Sequence, residues 1–569
     1  MIQSLVPALF IANVAAYLDS KYFITLDAQN IFAALKTKLQ YQKLINIKKK
    51  DSQSYASEYE VLEQSAKNFG NKDALVFQGR TWSYQQLINH VDRVADWYTS
   101  IGVKYKDIVA IFMTNCPEMY LSMLALLKIG ACGALVNANL AGEPLLHCIK
   151  ISKATRVICI ASTLPSLQTI KGIEVHVLGM GSWVNCEMPY PYTDIDSLPK
   201  ASEFTVRPPV QMDDLAFFIY TSGTTGVPKA VPVKHNILRF LAFASNNSGI
   251  FNSNDRIYCP LPLFHATALF LGMISAISTG ATFILAPKFS ARNTFKECRE
   301  VHANILMHVG ELCRYLVNLP PSPEDRNHGI RRLYGNGLNK YVWIQMRERF
   351  GIQNIDEVYA MSEGSFFMIN RNKGPHGIGS CGHFGFLIRN VVKFCVLVKH
   401  DPVSEELIRD PRTGLCVPVA PGEPGEILVK FIDEKLKRPY YGNEKAYEQK
   451  YVHNVLKNGD RWFRMGDLLK YDEDGYYYFL DRVGDTFRWK GENVSTTEIQ
   501  NHLAGFPGIV ESVVYGVPLA NYEGQAGMAT LVLAPETGEQ FVLKSLVNWL
   551  KEKGVPNYAL PRFIRVTDE

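Results

Sequence analysis

Residues 220 to 235 run Tyr-Thr-Ser-Gly-Thr-Thr-Gly-Val-Pro-Lys-Ala-Val-Pro-Val-Lys-His, directly after the apolar stretch Leu215 to Ile219. Such a run can clamp a triphosphate. Gly223 and Gly226 free the backbone to turn N–H groups toward an anion, Thr221, Ser222, Thr224 and Thr225 offer hydroxyls, and Lys229 adds a positive charge. It is not the P-loop of nucleotide hydrolases, which spaces its glycines more widely and follows its lysine with Ser or Thr; here Ala230 follows Lys229. Phosphoryl transfer by that route is disfavoured. Composition alone would describe a hydroxyl-rich surface loop equally well, so the decision falls to the rest of the chain.

Three further stretches carry polar groups in an ordered series: Tyr359-Ala360-Met361-Ser362-Glu363-Gly364, then Trp462-Phe463-Arg464-Met465-Gly466-Asp467, then Asp481-Arg482 followed by Lys490-Gly491. Singly, Glu363 reads as a helix-end acid and Gly466-Asp467 as a turn. Together with the 221 to 229 run, and in this order, they resemble the signatures of the adenylate-forming superfamily, which contains the acyl-CoA synthetases, firefly luciferases and peptide-synthetase adenylation domains. Tyr334-Gly335-Asn336-Gly337-Leu338, read with Arg488-Trp489-Lys490-Gly491-Glu492-Asn493-Val494, is similar to the very-long-chain acyl-CoA synthetase and fatty-acid transport protein branch. The resemblance runs from Tyr17-Leu18-Asp19 to Pro561-Arg562-Phe563.

The resemblance implies a layered α/β fold, with a large N-terminal domain of sheets and helices plus a small barrel, and a smaller mobile C-terminal α/β domain. It also implies roles. Thr221, Ser222, Gly223, Thr224, Thr225, Gly226 and Lys229 would hold the phosphates of ATP, and Gly335, Asn336 and Gly337 would flank adenine, with Tyr359 stacked on it. Ser362 would contact the α-phosphate, and Glu363 would bind the magnesium ion. One carboxylate plus phosphates suits a hard cation that keeps some of its water. Asp467 would accept both ribose hydroxyls, Arg482 would reach ribose or phosphate, and Lys490 and Gly491 would line the junction through which CoA enters. The implied catalytic set is Thr221, Lys229, Glu363 and Arg482.

His265, in Pro260-Leu261-Pro262-Leu263-Phe264-His265, resembles an element beside the family's acyl pocket, although a histidine on an apolar segment can simply be packed. The small apolar run Ala266 to Ile277 fits one wall of an acyl tunnel or ordinary core. The expected activity is ATP-dependent activation of a long- or very-long-chain fatty acid to acyl-AMP and then acyl-CoA. No side-chain nucleophile is required, so none of the eleven cysteines need be catalytic. The competing readings are a fatty-acid uptake or binding protein that retains the fold, and adenylation of another carboxylic acid. The family's lysine beyond the Pro-Arg-Phe element has no counterpart before Glu569, seven residues past Arg562, and a truncated chain is the expected cause.

At 569 residues, 47% hydrophobic and 20% charged, the chain can bury a substantial core. A net charge of +5 calls for no nucleic-acid partner, though it suits ATP, CoA and anionic lipid headgroups. The eleven cysteines show no Cys-x-x-Cys spacing, which fits reduced thiols in the cytosol or on a cytosol-facing membrane and no zinc site. Leu5 to Leu18 is apolar but too short to span a bilayer, and no basic residue precedes Lys21, which argues against a secretory signal. A packed helix or an interfacial segment remains, giving peripheral membrane contact at the endoplasmic reticulum, peroxisome or lipid droplet, or a cytoplasmic protein. The expected divisions are 1–50 for this segment, 51–481 for the large domain and 482–569 for the small one, hinged at Gly484. Helical spacing over Glu58 to Phe69 and Ser83 to Ile101, and apolar runs such as Asp107 to Met113, predict helices alternating with buried parallel strands.

Overall fold

The computed structural model describes residues 18–19, 21–49, 55–168, 170–180, 190–201, 208–222, 228–361, 366–401, 404–431, 436–483, 487–489, 492–519, 525–535, 537 and 542–567. The expected alternation is present. The strand Ile108–Phe112 is followed by the helix Pro117–Ile129, in which every residue except Glu118 is buried. A helix apolar on all sides belongs between layers rather than on a surface. Its ends follow from local chemistry: Pro117 fills the first turn, and Gly130 takes the left-handed conformation at φ 70° that closes it. The helix Tyr84–Ser100 opens with a capping box between Ser83 and Gln86.

Two large sheets form the body. One has seven strands in the order Tyr192–Asp194, Glu174–Gly179, Arg156–Cys159, Ile108–Phe112, Cys132–Leu135, Leu215–Ser222 and Pro228–Lys234, parallel except for the last pair. The other has eight, with the parallel strands Arg332–Asn336 and Asn354–Ala360 beside an antiparallel edge, Phe367–Asn372. Buried residues from both sheets join in one hydrophobic cluster. Parallel strands covered on both faces read as continuous apolar runs, which is why they were recognisable.

A third, antiparallel sheet contains Arg461–Tyr471 and Tyr476–Arg482, and receives the strand Gly425–Val429. Beyond it, Phe487, Trp489, Val494, Leu503, Ala529, Leu531 and Leu546 pack in a separate cluster around the sheet of Ile509–Pro518, Gln525–Leu533 and Phe563–Thr567. Asp481 ties the two parts together. Its carboxylate accepts hydrogen bonds from the Ser495 hydroxyl at 2.9 Å and the Thr496 N–H at 2.8 Å, at the start of the helix Thr496–Leu503.

The 26-residue helix Ile24–Lys49 packs on the helix His235–Ser248, with Tyr41 against Phe240 at 5.7 Å and Asn247 Nδ2 donating to Thr37 and Gln40. Leu5 to Tyr17 and Gly484 lie outside the described residues. No helix among the described residues is long and apolar enough to cross a membrane.

Candidate active site

The hydroxyl- and glycine-rich run sits at the tip of a β-hairpin. Thr221 and Lys229 are paired directly across it, Thr221 on the strand Leu215–Ser222 and Lys229 on Pro228–Lys234. Opposed residues of an antiparallel pair place their side chains on one face, so the hydroxyl and the ammonium are presented together. Both residues are half-buried, and Lys229 Nζ stands 5.0 Å from the Tyr440 ring centroid. The same ring lies 5.8 Å from Lys450 Nζ, which in turn stands 5.7 Å from Phe463 on the strand that carries Asp467. The side chain of Ser222 and residues Gly223, Thr224, Thr225 and Gly226 lie outside the described residues.

In the eight-stranded sheet, Gly335 and Asn336 occupy the C-terminal end of their strand, and Tyr359 the same end of its neighbour. Ligands of open parallel sheets bind at that end. Space decides Gly335: a Cβ there would stand 1.9 Å from the His308 carbonyl oxygen. Gly337 turns the chain at φ 80°, and Asn336 Oδ1 accepts the Thr267 hydroxyl at 3.2 Å. Thr267 opens a π-helical segment, Thr267–Ile274, within the small apolar run, and His265 lies two residues before it. His265 as a whole is solvent-exposed, with Phe264 edge-on at 4.7 Å, while partial burial of its imidazole lowers its pKa from the ordinary value.

Tyr359 and Asp467 join the two sheets. The Tyr359 hydroxyl donates to Asp467 Oδ2 at 2.5 Å, and the ring is 8% exposed. Burial, then the Asp467 charge, holds the phenol well above its ordinary pKa, so it remains a donor. Asp467 pairs with Arg482 across adjacent strands, and Arg482 Nε stands 3.9 Å from Asp467 Oδ1 with a side chain 70% exposed. An ion pair so exposed contributes little stability, leaving Arg482 able to turn to another anion. Ser362, Glu363, Lys490 and Gly491 lie outside the described residues. No group of three or more His, Cys, Asp or Glu among the described residues could hold a metal ion.

Two supporting residues escaped the sequence reading. Glu357 Oε1 accepts the Leu338 N–H at 3.0 Å beneath the adenine-side loop, and its Oε2 faces His308 Nε2 at 3.9 Å. Both side chains are buried; burial raises the Glu357 carboxyl to about 8 and lowers His308 to about 3, so the pair is neutral at pH 7. Two adjacent acids, Asp356 and Glu357, inside the mostly buried strand Asn354–Ala360 were the available signal. Asn115 is the second. Its Nδ2 donates to the Leu261 and Ala286 carbonyls and its Oδ1 accepts the Leu263 N–H at 2.9 Å, fixing the loop that leads to His265.

Residues 62–433 match the model of the AMP-binding enzyme family, and residues 498–569 match its C-terminal domain. The chain is 37% identical to long-chain fatty acid transport protein 2 of Rattus norvegicus over 522 residues, 89% of this chain and 81% of that protein. It is 34% identical to the very long-chain fatty acid transport protein of Cochliobolus heterostrophus, over 98% of this chain and 86% of that one. Among solved structures, an anthranilate CoA ligase in complex with anthranoyl-AMP superposes with a TM-score of 0.74 at 21% identity, covering 90% of this chain and 94% of that one. The chain therefore belongs to the adenylate-forming AMP-binding enzymes, in the very-long-chain acyl-CoA synthetase and fatty-acid transport protein branch.

Proposed function

We propose that the protein activates a long- or very-long-chain fatty acid in two steps, using ATP and then CoA. The observation that carries this is the Tyr359–Asp467 bond, which sets an aromatic ring and a carboxylate beside the end of the strand bearing Gly335 and Asn336. A ring, a carboxylate and a glycine-bounded edge are what adenosine requires. The branch to which the chain belongs supports a fatty-acyl substrate.

A carboxylate is a poor acyl donor because its oxygen leaves badly. Its oxygen would attack the α-phosphorus of ATP, forming acyl-AMP as the bond to pyrophosphate breaks. CoA thiolate would then attack the acyl carbon and AMP would leave. Asp467 would bind the ribose hydroxyls and Tyr359 the adenine face. Thr221, Lys229 and the intervening glycines and hydroxyls would bind the β- and γ-phosphates, and Arg482 would follow the α-phosphate. When bound through Glu363, magnesium would offset the charge that moves onto pyrophosphate. His265 and the Thr267–Ile274 segment would border the acyl chain. Large and small domains would divide at 481/482, with Gly484 as hinge and Lys490 and Gly491 at the CoA entrance; two second substrates sharing one site give that motion its purpose.

Exchange of labelled pyrophosphate into ATP, run with a panel of acids, tests the reading. Stimulation by long-chain fatty acids is expected. Stimulation by amino acids or small aromatic acids alone would reassign the substrate, and binding of fatty acid without exchange would indicate a carrier.

A further inference from the structure

We propose that the outward face of the helix Ile24–Lys49, together with the segment Phe386–Val392, forms a docking surface for an anionic lipid bilayer. Phe32, Leu35 and Leu39 recur at helical spacing and are 68%, 54% and 66% exposed. The inward face of the same helix is already satisfied by Thr37 and Tyr41 on His235–Ser248, so the outward apolar stripe is surplus to packing. Phe386, Val391 and Val392 are exposed on a second segment.

The structure holds the two together. Asp27, fully buried, accepts the Gly385 N–H at 2.7 Å and the Ile388 N–H at 2.9 Å, and Tyr22 meets Phe386 edge-on at 5.6 Å. Exposed apolar residues gathered on two segments that are tied together mark an interaction site. Its charge selects the occupant. Asp27 is the only carboxylate of the helix and it is buried, whereas Lys36 and Lys43 are exposed beside the stripe, with Lys21 and Lys393 exposed near the second segment. The acids beside this surface are Asp19, whose carboxylate is engaged by the Thr25 N–H at the start of the helix, and Glu473 and Asp474, on the turn whose carbonyls bond Arg389 and His383. Apolar residues flanked by lysines on a helix lying flat fit headgroups and the upper acyl region of an anionic membrane.

The location adds sense. The helix His235–Ser248, against which this one packs, also meets the apolar segment beyond His265, with Ser245 Oγ 2.8 Å from Ser275 Oγ. The surface does not depend on adenylation, and it would stand for a carrier as well.

Vesicle flotation with phosphatidylcholine alone and with added phosphatidylserine tests it, alongside bromolipid quenching of F32W relative to the parent protein. Binding to anionic vesicles and quenching in F32W are expected. L35E/L39E should bind at least about tenfold more weakly, and K36Q and K43Q about fivefold each on anionic vesicles only. V513E, an exposed apolar change on the C-terminal sheet, should bind as the parent does. The proposal is overturned if the parent does not bind anionic vesicles, if F32W shows no quenching, or if L35E/L39E binds like the parent. It is also overturned if L35E/L39E instead abolishes a lipid-independent dimer, since the face would then be covered by a second copy of the chain.

Discussion

Tyr359 and Asp467, 108 residues apart, are joined by a 2.5 Å hydrogen bond that crosses from the eight-stranded sheet to the antiparallel one. Under the proposed roles this bond is exchanged when ribose hydroxyls reach the carboxylate, so the two residues should respond differently to substitution. Asp467→Ala should raise the KM for ATP about 10- to 100-fold, the loss of hydrogen bonds to a charged group. Tyr359→Phe keeps the ring and should change it by less than about threefold. Tyr359→Ala removes a stacking face worth about 1–3 kcal/mol. Steady-state kinetics on the three variants checks the order; equal effects of Tyr359→Phe and Asp467→Ala would refute it.

Glu357 gives a pH dependence with a definite sign. Its carboxyl is raised from 4.5 to about 8 in the fold, so the protonated form is favoured there. Its contribution is whole below about 4.5 and is lost as pH rises through about 8. Glu357→Gln keeps a neutral group that accepts the Leu338 N–H. Thermal melts should show the variant matching the parent at acid pH and exceeding it progressively toward pH 9. A constant gap across the range would show that Glu357 is not protonated in the fold.

Gly335→Ala should be severe. The added methyl would stand 1.9 Å from the His308 carbonyl oxygen, on a strand hydrogen-bonded to its neighbour, so backbone must part. A loss above about 3 kcal/mol in denaturant unfolding is expected, beyond the ordinary range for a single substitution.

Asp481 and Gly484 separate cohesion from motion. Asp481→Ala removes the acceptor of the Ser495 hydroxyl and Thr496 N–H and should cost about 1–2 kcal/mol, seen as faster hydrogen exchange over residues 495–503 while the body is unchanged. Gly484→Pro should spare acyl-adenylate formation and abolish thioester formation. Equal loss of both half-reactions would remove Gly484 from the hinge.

The layered parallel sheets were legible because buried parallel strands are written as apolar runs, Ile108–Phe112 and Leu215–Ile219 among them, whereas the order of the strands follows only from the fold. The Thr221–Lys229 pairing was half visible: the residue types showed hydroxyls and a lysine able to hold phosphate, and only the hairpin register brings hydroxyl and ammonium face to face. The helix Ile24–Lys49 was not seen. Its apolar residues face both ways, Ile31, Tyr41 and Ile45 toward the body and Phe32, Leu35 and Leu39 away, so no single stripe repeats with the helical period. Glu357 and Asn115 were missed because each acts on backbone groups distant in sequence, at Leu338 and at Leu261, Leu263 and Ala286, and no local pattern announces such a partner.

The central claim is that an acid oxygen displaces pyrophosphate at the α-phosphorus of ATP. Incubation with a long-chain fatty acid, magnesium and ATP labelled at the α-phosphate tests it most directly. Label should appear in acyl-AMP and, once CoA is added, in AMP alongside acyl-CoA. Label recovered as ADP, or ATP left unconsumed with every acid, would contradict the account.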